Sequence, residues 1–184
     1  MPAYTKVQRD CFGEALKVMK KRYHQTCNNP YAFIHKNEAE DDYITAPALD
    51  ECGSYIRYSM VAATENKQMQ DDRFDLPIRI ELVFVKPNGK DWNKEMMEAL
   101  KKYQDGIETS FKGLLEDGFK DSYKGFKWKA KVGRGEKSQK IVYESEDFQY
   151  GLDEKNCADV AKWLADNMLR FAQALKPYII KLEL

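Results

Sequence analysis

The segment 76–86 alternates between apolar and polar positions. Its apolar face is formed by side chains at every second residue: Leu76, Ile78, Ile80, Leu82 and Phe84. Arg79 and Glu81 lie on the opposite face. A period of two predicts a β-strand with one face in the core.

The next segment, 91–115, has a helical period. Its large apolar side chains follow one another at steps of three or four residues: Trp92, Met96, Leu100, Tyr103, Ile107, Phe111 and Leu114. Such a stripe predicts a long amphipathic helix that packs on a sheet face. Asp91 is expected to cap it. Gly106 and Gly113 are the positions where it is expected to bend or break, because glycine in a helix costs about 1 kcal/mol relative to alanine.

The same two periods predict the remaining elements. They are an N-terminal helix over 4–25, strands at Tyr31–His35 and 54–63, a hairpin formed by 126–132 and 138–143, and a C-terminal helix capped by Asn156 and ended or kinked by Pro177. The order is α-β-β-β-α-β-β-α. It predicts a single α+β domain over 1–184, with a mostly antiparallel sheet packed against long amphipathic helices.

The composition of the whole chain points to no particular class of partner, and only a local cluster of charges could do so. The chain has 30 basic residues (Lys and Arg) and 30 acidic residues (Asp and Glu). Its net charge therefore gives no reason to expect nucleic acid or a membrane as a partner. The apolar runs are shorter than the ~20 residues that a membrane helix needs, and the N-terminus lacks a secretory signal. We therefore expect a cytoplasmic protein with no membrane partner.

The residues that commonly bind metals show no complete metal-site spacing. His24 and Cys27 could supply two zinc ligands, but the other two would have to come from distant parts of the chain. Cys11, Cys27, Cys52 and Cys157 are scattered without a CxxC pair, which favours buried, reduced thiols over a zinc site. The acidic run 37–42 lacks the ligand spacing of a calcium loop, so we interpret it as a solvated loop. The sequence therefore predicts no metal and no cofactor.

The strongest local feature is a basic segment. Between Phe119 and Lys140 the chain has eight basic residues and two acidic ones. Alternation in 126–132 places Lys127, Lys129 and Lys131 on one side of the predicted hairpin. Together with Arg134, Lys137 and Lys140 they predict a surface that binds nucleic-acid phosphates without reading sequence. The alternative is that these lysines only prevent edge-to-edge aggregation, and the balanced charge of the whole chain favours this alternative.

Several motifs of the second half occur in an order and spacing known from one family. The motifs are Arg79–Leu82, Asn93–Glu95, Gly106–Glu108, Trp128, Lys137–Ile141, and Trp163–Phe171 followed by Pro177. Over about residues 54–182 the chain resembles a bacterial and archaeal domain of unknown function that is often found C-terminal to predicted restriction-type nuclease domains. The resemblance implies a prokaryotic defence or DNA-processing context. We expect no nuclease domain in this chain, because an N-terminal helix precedes the family-like core.

The sequence supports a catalytic function less than it supports a binding function. A restriction-type nuclease pairs a Glu-x-Lys motif with a divalent metal, but residue 83 is valine, and Lys86 lies on the other face from Glu81. We interpret Glu81 as one half of a salt bridge and expect no catalytic residues.

Three functional hypotheses follow. The leading one is a non-catalytic binding protein that contacts nucleic acid or a protein partner through the basic hairpin. The alternatives are a metal-dependent restriction-type nuclease, and an interaction module that forms a homodimer or binds another protein through the apolar tail Tyr178–Leu184.

Overall fold

The computed structural model describes residues 5–22, 43–48, 55–64, 77–86, 89–130 and 138–182. Within them the chain forms helices and strands in the following order: α1 (Lys6–Arg22), β1 (Tyr43–Pro47), β2 (Ile56–Ala62), β3 (Ile78–Phe84), α2 (Lys90–Lys101), α3 (Gln104–Leu114), α4 (Asp117–Lys120), β4 (Lys127–Ala130), β5 (Gln139–Glu144) and α5 (Cys157–Ile179).

The five strands form one antiparallel sheet in the order β1-β2-β3-β5-β4. The alternation in β3 explains its place in the middle of this order, because Ile78, Ile80, Leu82 and Phe84 are all fully buried. The predicted α+β class with a mostly antiparallel sheet is confirmed. The order also makes β5 an interior strand and β4 an edge strand, which the sequence did not predict.

The N-terminal part differs from the prediction in one strand. The sheet begins with β1, in which Ile44 and Ala46 are buried, and the sequence analysis did not predict a strand there. The predicted strand Tyr31–His35 and the acidic run 37–42 lie outside the described residues. Helix α1 lies within the predicted range 4–25.

The predicted long helix is two helices. Helix α2 ends at Lys101 and α3 begins at Gln104, so the break comes before Gly106 and Gly113. Asp91 lies in the first turn of α2, and no side chain caps this helix. Instead, the Asn93 side chain accepts a hydrogen bond of 2.8 Å from the backbone N–H of Lys86. It thereby ties the first turn of α2 to the end of the preceding strand segment.

Backbone contacts group the chain into two compact units, each built from three segments. The first unit comprises Met1–Ala46, Ser59–Ile80 and Glu144–Leu169, and the second comprises Pro47–Tyr58, Glu81–Tyr143 and Arg170–Leu184. The single domain expected over 1–184 stays a prediction.

In the first unit, α1 begins with a capping box. The backbone N–H of Thr5 donates to Gln8 Oε1 at 3.0 Å, and the backbone N–H of Gln8 donates to Thr5 Oγ1 at 3.3 Å. The Gln8 side-chain amide also donates to the backbone carbonyl of Ala62 in β2, at 3.0 Å. One buried glutamine therefore both starts the helix and fixes it to the sheet.

The second unit has an aromatic core. Phe111 of α3 is fully buried, and its ring centroid lies 4.8 Å from that of Tyr143 in β5 and 4.9 Å from that of Phe126. Phe171 of α5 contacts Tyr58 of β2, with ring centroids 6.2 Å apart. In this unit α3 and α5 therefore pack on the sheet.

The end of the chain departs slightly from expectation. Helix α5 continues past Pro177 to Ile179. Asn156 precedes the helix as predicted, but its side chain binds the loop before it, accepting a 2.9 Å hydrogen bond from the backbone N–H of Asp153. None of the described helices is long and apolar enough to cross a membrane.

Candidate nucleic-acid interface

The predicted hairpin is present in its described part. Strands β4 and β5 pair in antiparallel register, with Lys127 opposite Val142, Trp128 opposite Ile141 and Lys129 opposite Lys140. Residues opposite each other in such a pair point to the same face of the sheet. Lys127, Lys129 and Lys140 therefore share one face, and Trp128 lies on the other.

Trp128 is held in place by a carboxylate of α3. Its indole N–H donates to Glu108 Oε1 at 3.3 Å, and the Gln104 side-chain amide donates to the same oxygen at 3.0 Å. This bond is partly buried, and a hydrogen bond contributes about 0.5–1.5 kcal/mol, so it favours the face on which Trp128 lies. Because neighbouring residues of a strand alternate, Trp128 also determines where Lys127 and Lys129 point.

The turn before β4 is built around the other oxygen of Glu108. Gly125 has a φ of +88°, and a Cβ on it would lie 2.8 Å from Glu108 Oε2. Tyr123 precedes this turn, and burial, followed by the negative charge of Glu108, raises the pKa of its hydroxyl group well above its usual range. Tyr123 is therefore neutral beside the carboxylate.

The six predicted nucleic-acid-binding residues fall into three groups. Lys127 is exposed and Lys129 is half-buried, both on the edge strand β4. Lys131, Arg134 and Lys137 lie outside the described residues. Lys140 is buried, with 8% of its surface exposed.

Lys140 does not lie on an exposed row, which corrects the sequence-based expectation for this residue. Its ammonium group lies 3.0 Å from Glu81 Oε1 of β3, and both side chains are almost fully enclosed. The reason is the strand order: β5 lies between β3 and β4, so a lysine on β5 is flanked by a strand on each side. The expected salt bridge of Glu81 is present, and Lys140 forms it.

Two further lysines lie near the start of the hairpin in sequence. Lys124 is exposed. Lys120 is bound locally, because its ammonium group lies 2.6 Å from Asp117 Oδ1. This hydrogen bond, and then the charge of Lys120, lowers the pKa of Asp117. The positive charge of Lys120 is therefore partly compensated by its neighbour.

Comparison with known proteins gave no relative. No family model, curated protein or solved structure matches this chain. The resemblance to the family found beside predicted nucleases stays a prediction, and the role of the hairpin has to be argued from its own residues.

The described residues do not assemble a site for metal chemistry. Within 5–22, 43–48, 55–64, 77–86, 89–130 and 138–182, no group of three or more His, Cys, Asp or Glu side chains is placed to hold a metal ion. Glu81, the carboxylate considered for a nuclease, is bound to Lys140.

Glu108 is the site residue that sequence reasoning missed. It determines the orientation of β4, yet it lies 20 residues before Trp128. No spacing rule connects a glutamate on a helix to an indole on a strand at that separation. The available signal was the position of Glu108 directly after the buried Ile107, which places a carboxylate at the border of an apolar stripe.

We expect Gly125→Ala to lower the free energy of unfolding by about 1–3 kcal/mol. Alanine is strained at positive φ, and its Cβ would displace Glu108 Oε2, which weakens the anchor of Trp128. The matched control is Gly113→Ala in α3, where a Cβ meets open space. It should raise stability by up to about 1 kcal/mol. Urea unfolding followed by circular dichroism measures both, and equal effects in the two variants would contradict the assigned role of Gly125.

Proposed function

We propose that this chain is a non-catalytic binding protein that contacts nucleic-acid phosphates through the hairpin β4–β5, in a prokaryotic defence or DNA-processing context. The observation that supports this most directly is the position of Lys127 and Lys129 on one face of an edge strand. The hydrogen bond from Trp128 to Glu108 supports this orientation, because it holds Trp128, which lies between the two lysines, on the other face.

The geometry favours contact with a phosphate backbone over contact with base edges. Lysines two residues apart on a strand have Cα atoms about 7 Å apart. The phosphates of a DNA strand form a regular row of negative charges, so two neighbouring ammonium groups on one strand face can contact two of them. Lysine is a flexible point charge without the planar fork that reads guanine bidentately. Binding should therefore depend on salt and not on sequence.

The balance of charges limits how the protein approaches its ligand. The chain as a whole carries 30 basic and 30 acidic residues. Long-range attraction of nucleic acid to the whole molecule is therefore weak, and the local field of the hairpin supplies the affinity. This predicts modest binding that is strongest at low ionic strength.

The direct test is fluorescence anisotropy with labelled duplex and single-stranded DNA between about 50 and 200 mM salt. Lys127→Glu combined with Lys129→Glu should weaken binding about tenfold to a hundredfold, because two charge-assisted contacts are lost. The slope of log K against log salt should also become shallower by roughly one for each lysine.

The control has the same change in charge at another place. Lys94→Glu combined with Lys101→Glu alters two exposed lysines of α2 and should leave affinity and salt slope close to those of the unmodified protein. Equal losses in both double variants, or no binding of the unmodified protein at the lowest salt, would overturn the proposal. Metal-stimulated cleavage of the DNA that survives the lysine changes would favour the nuclease alternative instead.

A further inference from the structure

Two cysteines of the first unit lie at the contact between α1 and the start of α5. Cys11 is in α1 and is fully buried, and Cys157 is the first residue of α5 and is partly exposed. The Cys157 thiol points at α1, with Sγ 3.9 Å from the backbone carbonyl oxygen of Val7. Val7 lies one helical turn before Cys11.

The direction of helical side chains brings the two sulfur atoms together. A side chain on a helix leans toward the N-terminus, so the Cys11 side chain lies over the turn that contains Val7. The Cys157 thiol contacts this same turn. Each cysteine is also close enough to contribute to the pKa shift of the other. Neighbouring thiols at the contact of two helices, one buried and one reachable from solvent, are suited to oxidation as a pair.

We propose that Cys11 and Cys157 are a site of reversible oxidation at which a peroxide links α1 to α5 through a disulfide bond. This inference does not depend on nucleic-acid binding. It is compatible with the expected reduced thiols. Both cysteines are free thiols in the structure, and the disulfide bond would form only when an oxidant is present.

The reaction begins at the accessible thiol. The Cys157 thiolate attacks one oxygen of hydrogen peroxide, the O–O bond breaks, and the other oxygen leaves as water after taking up a proton. Cys157 is then a sulfenic acid. The Cys11 sulfur next attacks Cys157 Sγ, the S–S bond forms, the S–O bond breaks, and the released hydroxide leaves as water with the proton of Cys11. Two thiols are oxidised to one disulfide, and one peroxide is reduced to two waters.

The surroundings make this a slow reaction. Burial, and then the charge of Asp10, raises the pKa of Cys157, while burial and the neighbouring Cys157 raise that of Cys11. The thiolate is therefore scarce at neutral pH. The site should respond to sustained peroxide and not to a brief pulse.

The test uses the full-length protein with all four cysteines. The reduced protein is exposed to excess hydrogen peroxide, remaining thiols are alkylated under denaturing conditions, and a non-reducing digest is analysed by mass spectrometry. The expected result is a cross-linked pair of peptides containing Cys11 and Cys157, with a loss of two hydrogen atoms. Dithiothreitol should restore both thiols.

Two single variants identify the order of events. Cys11→Ala should stop the reaction with one or more oxygen atoms on Cys157, and Cys157→Ala should leave Cys11 as a thiol that alkylates after unfolding. The oxidised protein should have a Tm higher by on the order of 10 °C, because the bond closes a long loop. The proposal is overturned if, in the unmodified protein, both thiols still alkylate after peroxide, if Cys157 accumulates oxygen without cross-linking, or if the bridge joins other cysteines.

Discussion

Phe111→Ala is expected to lower the free energy of unfolding by about 3–5 kcal/mol, the range typical of large-to-small changes at buried aromatic residues. The ring is fully buried. Its centroid lies 4.8 Å from Tyr143, 4.9 Å from Phe126 and 5.5 Å from Tyr123. These neighbours belong to β5 and to the turn before β4, so they cannot all move into the space that the ring leaves. The variant should contain a cavity, and the cost should lie toward the upper end of the range.

Urea unfolding measured by circular dichroism gives the change in free energy, and thermal unfolding should show a drop in Tm on the order of 10 °C. Phe119→Ala is the matched control. Phe119 has 51% of its surface exposed, so its loss should change stability by no more than about 0.5 kcal/mol. A cost below about 1 kcal/mol for Phe111→Ala would mean that the surrounding rings repack, and it would contradict the expectation that the variant contains a cavity.

Phe111 also illustrates what periodicity predicts reliably. Steps of three and four residues placed it, together with Leu100 and Ile107, on the buried stripe, and all three are fully buried. The pattern was less exact toward the ends of the predicted helix. Met97 and Leu115 are buried there, where the stripe contained Met96 and Leu114.

Residues close to the break between α2 and α3 make contacts that the sequence does not display. Tyr103 was placed in the middle of the stripe, but it is 38% exposed and packs on Tyr178, with ring centroids 5.4 Å apart. A Cβ on Gly106 would lie 2.7 Å from the Tyr178 hydroxyl oxygen. Gly106 therefore admits a distant tyrosine, and nothing in a helical period indicates which residue will approach it.

Strand β1 was missed because its pattern is weak. Only Ile44 and Ala46 are buried within its five residues, and alanine contributes little to an apolar face. The strands with several large apolar side chains, β2, β3 and β5, were all predicted. Sequence patterns therefore found the strands whose burial depends on their own side chains, and missed one that is short and formed largely of small or polar residues.

For the candidate interface, the sequence predicted which face the lysines of β4 occupy, but it did not predict which strands lie beside the hairpin. Alternation placed Lys127 and Lys129 on one face, and the register agrees. Treating the hairpin as an isolated ribbon placed Lys140 on the surface as well. Whether a strand is interior or at an edge depends on pairing with distant strands, here β3, and that pairing turns a candidate contact into a buried ion pair.

The buried pair of Lys140 and Glu81 leads to the second large prediction. Lys140→Met should lower the free energy of unfolding by about 3–5 kcal/mol, because it leaves a carboxylate in a buried position without the ammonium group 3.0 Å away. Glu81→Leu alone should cost a similar amount for the opposite reason. The double variant should recover to within about 1 kcal/mol of the unmodified protein or exceed it, because two apolar side chains need no compensating charge.

Urea unfolding of the unmodified protein, the two single variants and the double variant gives the coupling energy between Lys140 and Glu81. Lys17→Met is the matched control, since Lys17 forms an exposed pair with Glu14, with 70% of the lysine side chain accessible. It should cost no more than about 0.5 kcal/mol. Additive effects of the two buried changes would contradict the pairing.

The double variant also tests whether Lys140 takes part in DNA binding. Because Lys140 is buried beside Glu81, the double variant should bind DNA with the affinity and salt slope of the unmodified protein. A loss of binding comparable to that of the Lys127 and Lys129 variant would instead return Lys140 to the interface and contradict its role as a purely structural residue.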